Sequence, residues 1–459
     1  MTSSPPLRVC ATALALCAFG LLSPAFAKLD SKEYRKLKKK LTVSIKTDKW
    51  VEAGEAMKGL AKDDTKKTFS YLLKLAQKYP MDLAQPFADS VPSFTDPKAL
   101  EAARKAAGKT KVLQIRRALM FSFAARKDYG PLIDALGDKN EDLVYSAITR
   151  LMNDRVDAGV GPMIDLAEKV EKGKSGTWIE LRAALADLLG QDCNSAVEFR
   201  SLWVALKGQG GLKAAKKLGE RTVTGAKKKP AGGHTRERTF FGRAISSSKV
   251  VLILDCSGSM VAKDRKRGNS RPSIRRGPKT GGGGGTKAKD PQKAGDPGKV
   301  VKPKPAVSRL VRAQRALKKL IDNLDSRVQI NIVAYSGVKN VRVWKTNMGI
   351  HPLTKANRKS AKKFVDSFFS TGATATDKAL EKAYQIKGAR AFYLLSDGSP
   401  SHGLGQTLAP EEVYKVVRSG DKGRGITIHT MGFVGANRTF MQKLSSMTGG
   451  RYSDIPNDD

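Results

Sequence analysis

Two kinds of hydrophobic pattern divide this chain. Between about residues 30 and 220, apolar positions return every three to four residues, the spacing that gathers them on one helical face. Val144, Ala147, Ile148 and Leu151 form one such face, and Trp178, Leu181, Leu185 and Leu188 form another. Beyond about residue 239 the apolar runs become short. KVVLILD (249–255) is a continuous apolar run closed by a carboxylate, the composition of a strand buried on both faces. VQINIVAYSG, VRVWK, RAFYLLSDG, ITIHTMGFVG and RYSDI read as further strands. Between them lie amphipathic helical segments: VSRLVRAQRALKKLIDNL, RKSAKKFVDSFF, TDKALEKAYQ, EEVYKVVRS and RTFMQKLSSMTGG. In the first of these, Leu310, Ala313, Leu317, Leu320 and Leu324 share one side. Strands alternating with helices predict an α/β domain with a mainly parallel sheet covered on both faces, preceded by an all-α region.

The helical part carries a faint repeat. PLIDALGDKNEDLVYSAITRLMND starts at Pro131 and PMIDLAEKVEKGKSGTWIELRAALADLLG at Pro162. Each reads as a short helix opening at proline, a polar turn and a second helix. KVLQIRRALMFSFAAR (111–126) fits the second helix of an earlier unit. The arrangement resembles HEAT-type helical pairs, which stack because one pair cannot bury its apolar face alone. An irregular helical bundle is the alternative for the same pattern. The helical region is taken as 28–220, and the basic stretch RTVTGAKKKPAGGHTRER (221–238) reads as a linker to a domain spanning 239–459.

Inside that domain, residues 261–306 contain almost no apolar side chain, and fourteen Lys/Arg face three Asp. Such a segment cannot bury enough surface to order itself and reads as a disordered insertion. Lengthening a loop to this size adds only ~1.4 kcal/mol of closure entropy, so the fold tolerates it.

Charge and cysteine content narrow the setting. The 459 residues carry a formal charge of +41. That balance points to an anionic envelope surface, a polyanion or an acidic partner, beside the plainer reading of a well-solvated basic surface. No aromatic–basic recognition motif accompanies it, so nucleic acid is a poor candidate partner. At the N-terminus, Arg8, the apolar VCATALALCAFGLL and Ala25-Phe26-Ala27 have the order of an export signal over 1–27, with Lys28 as the first mature residue. No later segment reads as a membrane span. The expected location is the periplasm, cell envelope or exterior. Cys10 and Cys17 would leave with the signal. Cys193 and Cys256 remain and read as buried thiols, which excludes a disulfide framework.

The candidate chemistry sits at strand ends. In an open α/β sheet, ligands bind beyond the carboxyl ends of the strands. Asp255, Ser257 and Ser259 follow the first strand in DCSGSM. Thr374 lies in TGATATDKAL before a helix, and Asp397 ends RAFYLLSD. All five offer hard oxygen atoms, the donors Mg²⁺ prefers in its six-coordinate shell. Cys256 alternates away from that set, Thr376 is a weaker candidate than Thr374, and His402 is a loop residue at the rim. His234, His351 and His429 do not cluster with cysteines, so zinc is not supported.

DCSGSM, TGATATDKAL and LLSDG, in this order, resemble the D-x-S-x-S, threonine and aspartate segments of von Willebrand factor type A domains. The ending TMGFVGANRTFMQKLSSMTGGRY resembles the same family, and TFFGRAISSSKVVLILDCSGSM is similar to its bacterial secreted members. The resemblance covers about 240–455. It implies a Rossmann-like sheet with a metal-ion-dependent adhesion site. Asp255, Ser257, Ser259, Thr374 and Asp397 would be its metal residues, Mg²⁺ (or Mn²⁺) its ion, and a protein partner's Asp or Glu carboxylate its ligand.

Enzyme motifs fail on inspection. AAGKT (106–110) has Ala103 where a phosphate loop needs its first glycine, and it lies between helices. GGGGG (281–285) lacks the G-K-[ST] ending. No G-x-S-x-G surrounds Ser257 or Ser399. The resulting expectation is a non-enzymatic binding protein, with a polyanion-binding or envelope-assembly scaffold as the alternative.

Overall fold

The computed structural model describes residues 29–173, 175–216, 239–241, 243–263, 307–403 and 406–456. The export signal, the linker, His234 and most of the basic insertion fall outside the described residues.

The N-terminal region is built of helices α1 (Ser31–Lys46), α2 (Trp50–Ala61), α3 (Lys66–Lys78), α4 (Pro80–Ser90), α5 (Pro97–Lys109), α6 (Leu113–Ala125), α7 (Gly130–Asp134), α8 (Glu141–Asn153), α9 (Asp157–Val170), α10 (Thr177–Leu189) and α11 (Ala196–Lys207). Side chains of Asp30, Thr65, Asp96, Asn140 and Ser195 accept hydrogen bonds from first-turn N–H groups and so cap five of them. Packing follows alternate helices. α2 lies on α4, α4 on α6, α6 on α8 and α8 on α10, while α3 lies on α5, α5 on α7 and α9 on α11. The apolar faces of Val144–Leu151 and Trp178–Leu188 are buried as their spacing predicts.

One helix start differs. α7 opens at Pro131, but Pro162 lies inside α9, which begins five residues earlier. The longer helix buries Val160 together with Met163 and Ile164, and that burial outweighs the backbone hydrogen bond the proline cannot donate. Among the described residues no helix is long and apolar enough to cross a membrane.

After the helices come a hairpin, β1 (Thr239–Phe240) and β2 (Arg243–Ala244), and then β3 (Lys249–Asp255), β4 (Gln329–Tyr335), β5 (Val341–Val343), β6 (His351–Pro352), β7 (Ala391–Ser396), β8 (Ser401–Gly403), β9 (Gln406–Thr407), β10 (Thr427–Gly432) and β11 (Tyr452–Asp454). The main sheet runs β11-β10-β7-β3-β4-β5, with β6 also paired to β4. β11, β10, β7, β3 and β4 are parallel, whereas β5 and β6 run antiparallel to β4 at the edge. Along β3, Val250, Leu252 and Leu254 enter one apolar cluster and Val251 and Ile253 enter another, so both faces are covered. The first cluster runs on without a break into α8–α11, and both Cys193 and Cys256 lie in it as free, buried thiols.

The helical region docks on the edge where the parallel strands begin. Ser248, one residue before β3, donates from its N–H and Oγ to Glu180 Oε1 at 3.2 and 2.9 Å. Arg390, one residue before β7, reaches Glu180, Asp142 and Glu141 at 3.0, 2.7 and 3.0 Å. Arg327, before β4, donates to the carbonyl of Glu171 at 3.3 Å. Asn153 donates to the carbonyl of Gly449, before β11, at 2.7 Å. The opposite edge, where the strands end, receives none of these contacts.

The Arg390 side chain is 3 % exposed and that of Glu180 is fully buried. Burial pushes the Glu180 carboxyl above the usual range, against the pull of Arg390. Removing one partner of such a pair strands the other in a low-dielectric interior. Arg390→Met should therefore cost about 3–5 kcal/mol of stability, read as a fall in calorimetric Tm. Adding Glu180→Gln should recover part of the loss.

His429 on β10 supplies a pH signature. Its ring stacks on Tyr393, its Nδ1 accepts from the Arg451 N–H at 3.3 Å, and Nε2 lies 3.2 Å from Ser246 Oγ. Burial, with Arg243 and Arg451 nearby, pushes its pKa down from 6.5 to about 3. The unfolded chain then binds an extra proton through that window, so stability falls as pH drops. The wild type should lose stability between pH 6.5 and 4 more steeply than His429→Gln in urea titrations.

Candidate metal centre

Three loops meet at the edge where the strands end. The first leaves β3. Asp255 is fully buried, and its Oδ1 accepts the Ser257 N–H at 2.8 Å while its Oδ2 accepts the Ser396 hydroxyl at 2.5 Å. The Ser257 contact folds the chain back at once, and a 3₁₀ turn over Gly258–Val261 follows. Ser257 Oγ then lies 3.0 Å from Ser259 Oγ. Ser259 in turn donates to Asp397 Oδ1, on the loop after β7, at 2.6 Å.

The second loop carries Thr374. The Gly258 N–H donates to the Gly372 carbonyl at 3.0 Å, and the Thr371 N–H to the Cys256 carbonyl at 2.9 Å, tying this loop to the first. Gly372 sits at φ +65°, and a Cβ there would stand 2.2 Å from the Ser336 carbonyl oxygen, so only glycine fits. The Thr374 backbone is held by Ser401 of β8. A Cβ placed on Gly398 would stand 3.2 Å from Thr374 Oγ1 and 3.8 Å from Ser259 Oγ. Gly398 thus keeps open the space on which those two hydroxyls border.

The floor of this cluster is buried and its rim is open. Asp255, Ser257, Thr374 and Asp397 are buried, while Gly258 and Ser259 are exposed. Burial pushes the Asp255 carboxyl up to about 6, with the Asp397 charge adding to the rise and Ser257 and Ser396 opposing it. Two carboxylates and three hydroxyls, gathered where a side chain on Gly398 would crowd the Thr374 hydroxyl, suit a hard oxygen-seeking cation. A cation there would offset the desolvation of Asp255.

The lesser candidates have partners of their own. Thr376 is buried, and its hydroxyl lies 3.5 Å from the Thr374 carbonyl and 3.4 Å from the Tyr335 hydroxyl. Cys256 Sγ packs by the Leu254 carbonyl. His402, expected as a solvated loop residue, instead lies on β8 and is half-buried, because its Nε2 is 3.0 Å from both oxygens of the buried Asp377.

Two residues escaped sequence reasoning. Ser396 aims Asp255 from the next strand, because β3 and β7 are parallel neighbours with Leu254 opposite Leu395. Arg309 donates from Nη1 to Asp397 Oδ2 at 2.8 Å and from Nη2 to the Val434 carbonyl at 2.6 Å. The Lys263–Ser308 bridge and the Arg309 N–H bond to the Ala262 carbonyl bring it beside the motif. In sequence the basic insertion separates the two.

Residues 306–458 match the family model of the von Willebrand factor type A domain. The human von Willebrand factor A domain-containing protein 3A is 32% identical over 102 residues, 22% of this chain and 8% of that protein, so the chain spans a small part of that relative. Among solved structures, a von Willebrand factor type A protein from Catenulispora acidiphila is 20% identical with a TM-score of 0.31, covering 46% of this chain and 39% of that one. The pilus adhesin SpaC from Lactobacillus rhamnosus GG is 13% identical with a TM-score of 0.30, covering 45% and 28%. The PilB minor pilin from Streptococcus sanguinis is 15% identical with a TM-score of 0.28, covering 45% and 57%. With its parallel sheet clad by helices on both faces, the chain is a helical N-terminal region followed by a von Willebrand factor type A domain.

Proposed function

We propose that the chain is an exported, non-enzymatic binding protein that captures a protein partner at the sheet-edge loops through Mg²⁺, with Mn²⁺ able to replace it. Asp255, Ser257, Ser259, Thr374 and Asp397 would hold the ion. Bound there by few charged groups and keeping part of its shell for water, the ion would supply an electrophilic position that a partner's Asp or Glu carboxylate completes. The observation that carries this reading is the convergence of hydroxyl and carboxylate oxygens from three loops on one strand edge, with a buried floor and an exposed rim.

The surroundings favour a protein ligand. Val261 and Phe369, next to the first and second loops, and Val434, whose carbonyl is tied to Arg309, are 61%, 62% and 53% exposed. Apolar side chains around a polar centre are what a partner surface buries. The protein's role divides by edge: the helical stack, read as a HEAT-like scaffold, holds the strand starts, and among the described residues the strand ends carry none of those junction contacts and would meet the partner.

Ser396 and the Ser257 N–H orient the Asp255 carboxylate. Arg309 neutralises one oxygen of Asp397, so it competes for the same carboxylate that the ion needs. Two outcomes follow. Asp255→Ala with Ser257→Ala should abolish the Mg²⁺ binding seen by titration calorimetry while circular dichroism stays native, and partner capture should vanish with it. Capture that persists in chelator and weakens steeply with salt would instead support the polyanion reading. Arg309→Met should release Asp397 and tighten Mg²⁺ binding by roughly tenfold, about 1.4 kcal/mol. Weaker binding in that variant would mean that the guanidinium holds the loop in place.

A further inference from the structure

We propose that the cleft between the helical region and the type A domain is a second binding site, built for a small organic anion with one carboxylate on an apolar body. The cleft holds about 530 Å³, the size of ordinary small-molecule pockets. It lies away from the strand ends and shares no residue with the metal cluster.

Its walls come from both parts of the chain. Met152, Ile179, Ala183 and Ala186 face it from the helices, and Phe241 and Ile245 from the segment leading into β3. These supply an apolar lining. The charges among the lining residues do not balance. Arg182 is paired with Asp192 through two bonds of 2.8 and 3.0 Å, and Arg451 holds Asp187 through both guanidinium nitrogens. His429 is held neutral by its burial.

Arg243 is the cation left over. It donates from Nε to Ser453 Oγ at 2.5 Å and from Nη2 to the Tyr452 carbonyl at 3.3 Å. Among the described residues no carboxylate lies within ion-pair distance, and Nη1 has no partner. The nearest carboxylate charge that acts on it is Asp187, which Arg451 already holds, and a half-buried guanidinium with only a shared, longer-range counter-charge is costly unless an anion reaches it. Beside it, Ser246 offers a hydroxyl tethered to Tyr393 and His429. The cleft therefore presents one unbalanced positive charge and one hydroxyl at an apolar cavity, which selects a monoanion with a hydrocarbon body over a neutral or cationic one.

The test is titration calorimetry of the full chain with octanoate, against octanol and octylammonium. Saturable binding of one octanoate per chain, at least tenfold tighter than either control, is the expected result. Arg243→Met should weaken it at least tenfold. Ala183→Trp, which puts a bulky ring into the apolar wall, should abolish it. Octanoate and octanol binding alike, binding at several sites per chain, or octanoate binding unaffected by Ala183→Trp would each overturn the proposal.

Discussion

The arrangement rests on one buried charge. Asp255 ends the central strand with no solvent exposure, flanked by β7 and β4. A carboxylate in that position must be hydrogen-bonded, paired or protonated. The fold gives it two donors, the Ser257 N–H and the Ser396 hydroxyl, and these leave it pushed up to about 6. The two donors do not finish the compensation. The Asp397 charge adds to the rise, and the converging hydroxyls beside both carboxylates suit a cation that would answer the two charges together. A cation at this edge would relieve the desolvation that the strand imposes, so site and fold share one electrostatic constraint.

The helical region fits the same logic from the other side. Parallel strands all start at one edge and all end at the other, so an α/β sheet offers two chemically different rims. Here the starting rim is taken. Ser248, Arg327, Arg390 and Gly449, each one to three residues before a strand, bond to α8, to α10 or to the turn after α9. The contact is partly ionic and buried, which fixes orientation more than it adds stability. The apolar cluster is continuous across the junction, so the helices are packed onto the starting rim, and among the described residues these junction contacts do not reach the ending rim.

Much of this was legible in the chain. The strand KVVLILD, the helix faces and the oxygen-bearing loop ends all lie where local pattern places them, because burial on both faces and helical spacing are short-range signals. What escaped is long-range. Ser396 and Arg309 reach the cluster through parallel pairing and through a bridge across the insertion, and neither leaves a periodic trace. The latch around Arg390 reads in sequence as ordinary surface charge. Its partners Glu141, Asp142 and Glu180 precede it by more than two hundred residues. Pro162 misled because proline marks helix starts only when the residues before it have no apolar side chain to bury, and Val160 does.

The insertion sharpens the point about range. The family match begins at residue 306, after the strand that carries Asp255 and the D-C-S-G-S turn. The insertion 261–306 separates the first loop from the other two in sequence. Register holds the first loop in place: Lys249 pairs with Gln329 and Asp255 with Tyr335 along seven residues, and β7 flanks the other side. The two ends of the insertion are closed by the Lys263–Ser308 bridge and the Arg309–Ala262 bond. Once they are, the length between them costs only a logarithmic increment of entropy. On the described side of the insertion, Ser308 pairs with Lys263 and Arg309 sets its guanidinium on Asp397, so the closure of the insertion's ends and the electrostatics of the site are one structural feature.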